Sequence, residues 1–178
     1  IWNACRFLQM NGCTKGDGAF DLASVQEPVN RWIIAEYDEA IARVTTAIEN
    51  YRFNEAADAI YSFVWNSYCD WYVELIKPQL DGDATETRAA AAAILAGSLR
   101  LLHPIMPYLT EELSEKIFAS SDMMITEAWP DLVALQETDS PKEIAFLIHL
   151  ISDIRYIRSE MNVPLSAKPV LQLRGASD

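Results

Sequence analysis

Phe53-Asn54-Glu55-Ala56-Ala57-Asp58-Ala59-Ile60-Tyr61-Ser62-Phe63-Val64-Trp65-Asn66-Ser67-Tyr68-Cys69-Asp70-Trp71-Tyr72 runs on to Leu75 and Pro78 without a glycine. Its apolar positions Ala57, Ile60, Tyr61, Val64, Tyr68, Trp71, Tyr72 and Leu75 recur every three or four residues, the spacing of one face of an α-helix. Phe53 reads as a hydrophobic staple, Asn54 as an N-cap and Pro78 as the break that ends the helix. An aromatic stripe of this length has to be covered, so the segment predicts a bundle with other helices packed around it.

The flanking sequence supplies those helices. Trp2 to Asn11 reads as a helix stopped at Asn11-Gly12, and the glycines up to Pro28 mark a loop. From Val29, the positions Trp32, Ile33, Tyr37, Ile41, Val44 and Ile48 predict a long helix ending near Tyr51. Beyond the Asp81-Gly82-Asp83 turn, Thr85 to Leu102 carries five consecutive alanines, which favour helix and keep it thin enough for neighbours to approach closely. His103-Pro104-Ile105-Met106-Pro107 breaks it, and Tyr108 to Phe118 resumes with Glu111, Glu112 and Glu115 on a polar side. Ser120 to Asp139 has no sustained period and reads as a long connection. Ser140-Pro141-Lys142-Glu143 reads as a capping box opening a helix to Met161. After Asn162, the alternation Val170-Leu171-Gln172-Leu173-Arg174 reads as one β-strand. The expected fold is therefore all-α, an antiparallel helical bundle over residues 1–161, with 162–178 a linker and the first strand of a truncated C-terminal subdomain.

Composition narrows the function. The 178 residues hold 26 Asp plus Glu against 14 Lys plus Arg, a net charge of −12, with 51% hydrophobic residues. A general, sequence-independent nucleic-acid binder needs the opposite balance. A local site that holds unstacked bases on aromatic rings does not. No uncharged apolar run is long enough to span a bilayer, so no membrane association is expected. Cys5, Cys13 and Cys69 are odd in number and lack a C-x-x-C spacing or a neighbouring His, which argues against a disulfide framework and a metal site and for free thiols in a reducing cytoplasm. The chain begins at Ile1 and is read as a piece of a longer protein.

No phosphate loop, nucleophile elbow or zinc-protease motif is present, so no catalytic residue is assigned. His103, at a predicted helix end, reads as a capping or packing residue. Trp65, Tyr68, Trp71 and Tyr72 could form a base-stacking platform or simply be core. Arg6, Arg31, Arg52 and Lys77 could hold phosphates or snorkel at the surface.

Several blocks together carry a specific resemblance: Trp2-Asn3-Ala4-Cys5-Arg6-Phe7, Arg31-Trp32-Ile33, Tyr51-Arg52-Phe53-Asn54-Glu55-Ala56-Ala57, Cys69-Asp70-Trp71-Tyr72 with Lys77-Pro78, His103-Pro104-Ile105-Met106-Pro107-Tyr108-Leu109-Thr110-Glu111-Glu112-Leu113, and Ile157-Arg158-Ser159-Glu160-Met161-Asn162-Val163-Pro164. In this order they resemble the anticodon-binding helical bundle of valyl-tRNA synthetases, class I aminoacyl-tRNA synthetases. Ser114 stands where that family usually has Trp, and Leu165 where it has a second Pro.

The resemblance implies a domain that positions tRNA(Val) by its anticodon loop. It also implies a parent enzyme that uses ATP with Mg and hydrolyses mischarged tRNA in an editing domain. The His-Ile-Gly-His and Lys-Met-Ser-Lys-Ser signatures of the ATP site are not in this sequence, so no cofactor is expected on these residues. The implied partners are the tRNA and the catalytic and editing domains of the same polypeptide, in a cytoplasmic monomer. Valine anticodons share a middle adenine and a last cytosine. By resemblance to related bundles, Arg6 and Asn3 would reach base edges, Trp71 would stack, and Arg52 and Lys77 would hold phosphates. A helical protein-interaction module without RNA binding is the alternative.

Overall fold

Nine residues, Trp2–Met10, form α1, which ends at Asn11 with Gly12 at φ +73°, a left-handed position that glycine adopts without strain. The computed structural model describes residues 1–13, 20–119, 122–133, 135, 139–164, 166–170 and 172. α2 spans Pro28–Glu49, with proline in its first turn where no amide hydrogen is needed. The next helical stretch is one continuous rod: α3 over Phe53–Tyr61, a π-wound segment over Ser62–Tyr72, and α4 over Val73–Leu80. α5 (Thr85–Leu102), α6 (Pro107–Phe118) and α7 (Ser140–Glu160) follow.

The fold is all-α, and among the described residues there is no strand. Val170 and Gln172 are not in one, while Leu171, Leu173 and Arg174 of the expected strand lie outside the described residues, as does Leu165. The chain forms two compact units, Ile1–Ile144 and Ala145–Asp178. In the second, the Arg158 guanidinium donates to the carbonyls of Pro164 (3.0 Å) and Ala167 (3.2 Å), tying the tail to the end of its helix.

The first unit is built on α2 and α5. α2 packs on the rod and on α5, and α5 in turn packs on α1, α4 and α6. Alanine makes this possible: Ala90, Ala91 and Ala92 are buried together with Ile94, Leu95, Leu99 and Leu101, so α5 is covered on nearly every side. Tyr68 and Tyr72 of the rod are wholly buried, and their hydroxyls donate to Ala91 O and Asn30 Oδ1, both at 2.8 Å. The connection after α6 is pinned to the bundle by single bonds. Trp129 Nε1 donates to Thr45 Oγ1 (2.9 Å), the Val133 amide to Asp38 (2.8 Å), and Arg100 pairs with Glu127 (2.5 Å).

The rod departs from its sequence reading in three ways. Ala56, Ala59, Ile60, Phe63, Val64, Tyr68, Tyr72, Val73, Ile76 and Leu80 face inward, whereas Tyr61 is exposed. The i→i+5 winding brings residues four and five apart into line, and Phe63, Tyr68 and Tyr72 form one aromatic seam with ring centroids 6.4 and 5.4 Å apart. Phe53 and Asn54 are not staple and cap, because the helix begins at Phe53 itself, which is exposed. Pro78 does not end the rod; it lies inside α4 near its final turn, where only one helical bond is forfeited. At α7 the cap is also displaced by one residue: the Lys142 and Glu143 amides donate to Asp139 O, so Ser140 is already helical.

A polar network crosses the core where α2, α4 and α5 meet. Asn30 donates to Glu86 Oε1 and Thr87 Oγ1 (both 3.1 Å), Thr87 donates to Gln79 (3.0 Å), and Gln79 donates to Glu27 (3.0 Å). Burial alone would raise the Glu86 carboxyl, but hydrogen bonds from the Glu27 amide, Asn30 and the Gln26 amide, with the Arg31 charge nearby, hold it below the ordinary glutamate value. A depressed folded value stabilises the fold above the unfolded-state value, and that contribution disappears as pH falls through the folded one. The urea midpoint is therefore expected to drop on acidification through the carboxylate range, and Glu86→Gln to flatten that drop. An identical pH profile in the variant would remove Glu86 from the linkage.

Candidate nucleic-acid interface

The geometry of α1 follows from its helical register. Ala4, Cys5 and Leu8 are buried, which turns Asn3, Arg6 and Met10 outward as one exposed strip. Each flank of the strip meets a lysine. On one side Lys77 of α4 lies over the Phe7 ring, 5.5 Å from its centroid, while paired with Glu74. On the other, Lys116 of α6 lies over Trp2 at 5.2 Å, paired with Glu112 at 2.6 Å, and Gln9 donates to Lys116 O (3.2 Å). Cation–ring contacts of this kind help fix the position of an ammonium group, here together with an exposed carboxylate partner. Lys116 was not singled out from sequence, because its partner Trp2 is remote along the chain and only the tertiary fold brings them together.

The five sequence-assigned residues therefore separate. Asn3, Arg6 and Lys77 gather around α1. Trp71 is half-buried on the rod, about two turns before Lys77. Arg52 is exposed at the other end of the rod, roughly 35 Å from Lys77 at about 1.5 Å rise per helical residue and less in the π-wound stretch. It pairs with Glu55 at 3.0 Å and, with Arg43, lines an open groove of about 650 Å³ between α2 and α3.

The aromatic residues separate too. Tyr68 and Tyr72 are core. Trp65 is exposed and stacks on Tyr61 with centroids 5.9 Å apart and planes only 7° from parallel. Another exposed pair, Tyr51 and Phe53, flanks Arg52, with rings edge-on at 6.4 Å.

Among the titratable groups, two cysteines and a histidine are tied into the fold. Burial pushes the Cys5 thiol up to about 12 and the Cys13 thiol up to about 11, so both are protonated and unreactive at neutral pH. His103 caps α5, and its Nδ1 is hydrogen-bonded with Thr110 Oγ1 at 2.8 Å, the structural role expected of it. Among the described residues no three His, Cys, Asp or Glu side chains converge as metal ligands would, and no helix is long and apolar enough to cross a membrane.

Comparison with known proteins places the chain in a family. The chain is 49% identical over 185 residues to the valine--tRNA ligase of Caulobacter vibrioides, a match covering 99% of this chain and 20% of that protein. It is 41% identical over 214 residues to the valine--tRNA ligase of Rhodopseudomonas palustris and 43% over 184 residues to that of Rhizobium meliloti, covering 99% of this chain and 22% and 19% of those proteins. The chain thus spans about a fifth of the length of the curated relatives it matches. Residues 30–173, from the buried core of α2 past the end of α7, match the family described as the anticodon-binding domain of tRNA ligase. An all-α bundle whose exposed cations and aromatic rings sit on helices, matched over that span, belongs to the tRNA ligase anticodon-binding domain family.

Proposed function

We propose that these residues bind the anticodon loop of tRNA(Val) and position that tRNA for ATP-dependent, Mg-assisted aminoacylation by a catalytic domain elsewhere in the parent polypeptide. The observation that carries the reading is the outward strip of α1, where Asn3 and Arg6 stand exposed between two ring-anchored lysines. An anticodon loop offers splayed bases whose edges accept and donate hydrogen bonds and whose faces stack, which suits Arg6 and Asn3 for edges and Trp71 for a face. Lys77 and Lys116 stand at the margins, where phosphates would run, in exposed ion pairs with Glu74 and Glu112 that a phosphate can displace.

Family membership favours RNA over the protein-interaction alternative. The parent is proposed to be a cytoplasmic monomer that carries its catalytic and editing domains in the same chain, with no cofactor on the residues described here.

The test is a titration of the 178-residue chain at low salt with tRNA(Val) and with the same tRNA changed at its middle anticodon base. The cognate RNA is expected to bind more tightly, and equal affinity for the two would overturn the reading. Arg6→Ala and Trp71→Ala are each expected to cost about 1–3 kcal/mol of tRNA binding. If Trp71 is instead a packing residue, Trp71→Ala lowers stability by about 3–5 kcal/mol, read as a fall in urea midpoint.

A further inference from the structure

The turn between α2 and α3 sets two aromatic residues, Tyr51 and Phe53, which the anticodon reading does not use, on either side of Arg52, which the sequence reading already casts as a phosphate holder. Asn50 ends α2, Tyr51 follows at φ +58°, the Tyr51 amide donates to Ile48 O (2.9 Å) and the Arg52 amide to Ala47 O (2.8 Å). This is the paired-bond helix stop whose left-handed position is ordinarily filled by glycine, because a Cβ there is strained. Tyrosine occupies it although the residue is 82% exposed and gains little from packing. Ala119 and Asn162 are left-handed as well, but at Tyr51 the strained backbone displays an aromatic ring to water, which points to a use outside the fold.

Its surroundings specify the use. Phe53, 62% exposed, meets Tyr51 edge-on, so the two rings are not stacked on each other. The adjoining groove is lined by Arg43, Thr46, Arg52, Asn54, Glu55 and Asp58, with only alanines as its apolar part, so it offers no floor for a hydrophobic peptide or helix. Both arginines are held loosely. The Arg43–Glu39 contact is 3.9 Å with side chains 53% and 69% exposed, and Arg52–Glu55 is 3.0 Å with 51% and 50% exposed. Exposed pairs of this kind exchange partners at little cost, so a phosphate can take either guanidinium. Glu55, Asp58 and Asn54 can accept from the exocyclic amines of a base.

We propose that Tyr51, Phe53 and Arg52 form a second RNA contact, which stacks an unpaired base of the same tRNA and pairs its phosphate, at the end of the rod opposite Lys77. The proposal rests on the RNA-binding reading above but not on α1. Its test combines stability and binding in the 178-residue chain. Binding of full-length tRNA(Val) is followed by fluorescence anisotropy at low salt, where phosphate contacts are strongest.

Tyr51→Gly is expected to raise the thermal midpoint, since it relieves the backbone, and to weaken binding about tenfold. Tyr51→Phe is expected to recover the affinity by restoring a ring. Unchanged binding in Tyr51→Gly with weakened binding in Arg6→Ala would overturn this contact and leave the α1 site standing. Weakened binding in Tyr51→Gly with unchanged binding in Arg6→Ala would keep this contact and overturn the α1 assignment. A lower thermal midpoint in Tyr51→Gly would show that the ring serves packing and would also overturn the proposal. No measurable binding by the unaltered chain would overturn both.

Discussion

Asn30→Ala is expected to destabilise the bundle by about 3–5 kcal/mol. Asn30 is wholly buried and works in both directions: its Oδ1 accepts from the Tyr72 hydroxyl and its Nδ2 serves Glu86 and Thr87. Removing it leaves a buried phenol with no acceptor and takes one donor from Glu86 and from Thr87. Each buried group stranded in this way costs about 1–3 kcal/mol. Tyr72→Phe, which strands only the Asn30 oxygen, is expected to cost about 2 kcal/mol by the same rule. Because the two changes remove a shared bond, the double variant should cost less than their sum in urea unfolding. Strict additivity would show that the Tyr72–Asn30 bond contributes nothing.

Gly97→Ala tests packing rather than polarity. In an ordinary helix interior this change stabilises by about 1 kcal/mol, because alanine is the better helix former. Here a Cβ at Gly97 would lie 1.8 Å from Tyr37 Oη and 2.6 Å from its Cζ. Tyr37 is 3% exposed and leans on Phe63 at a centroid distance of 5.6 Å, so its ring has little room to retreat. Overpacking of this kind costs about 1–3 kcal/mol and sometimes more, which outweighs the propensity gain. The expected outcome is a lower thermal midpoint, partly recovered by adding Tyr37→Phe, which removes the nearer atom. A stabilised Gly97→Ala would mean that α2 and α5 can separate at no cost.

Sequence made some of this architecture legible and hid the rest for identifiable reasons. α2 and α5 were readable because their inward residues follow the α-helical period or are alanines, and nearly all the predicted positions of α2, from Trp32 to Val44, are buried. The rod was readable as helix but not in all its facing: Trp71 was assigned to the stripe with the α-helical period, which is not that of the π-wound segment it lies in, whereas Tyr61, in the α-wound α3, is exposed although its spacing fits the stripe. Asn3 and Arg6 could be placed on one face from their spacing alone. Their lysine neighbours could not, because Lys77 reaches Phe7 and Lys116 reaches Trp2 only through packing between helices. Tyr51 gave no signal either, since a left-handed residue is anticipated from glycine or asparagine and not from an aromatic.

The π-wound stretch Ser62–Tyr72 carries Trp71 and separates Lys77 from Arg52 along the rod. Each residue wound i→i+5 advances the chain around the axis by a smaller angle than in an α-helix. The number of residues so wound therefore sets the azimuth at which Lys77 emerges relative to Arg52, like the pitch of a screw fixing where its thread ends. Deleting one residue here would do more than shorten the rod. It would rotate one tip against the other and swing Lys77 off Phe7, even if every remaining side chain still found a helical place.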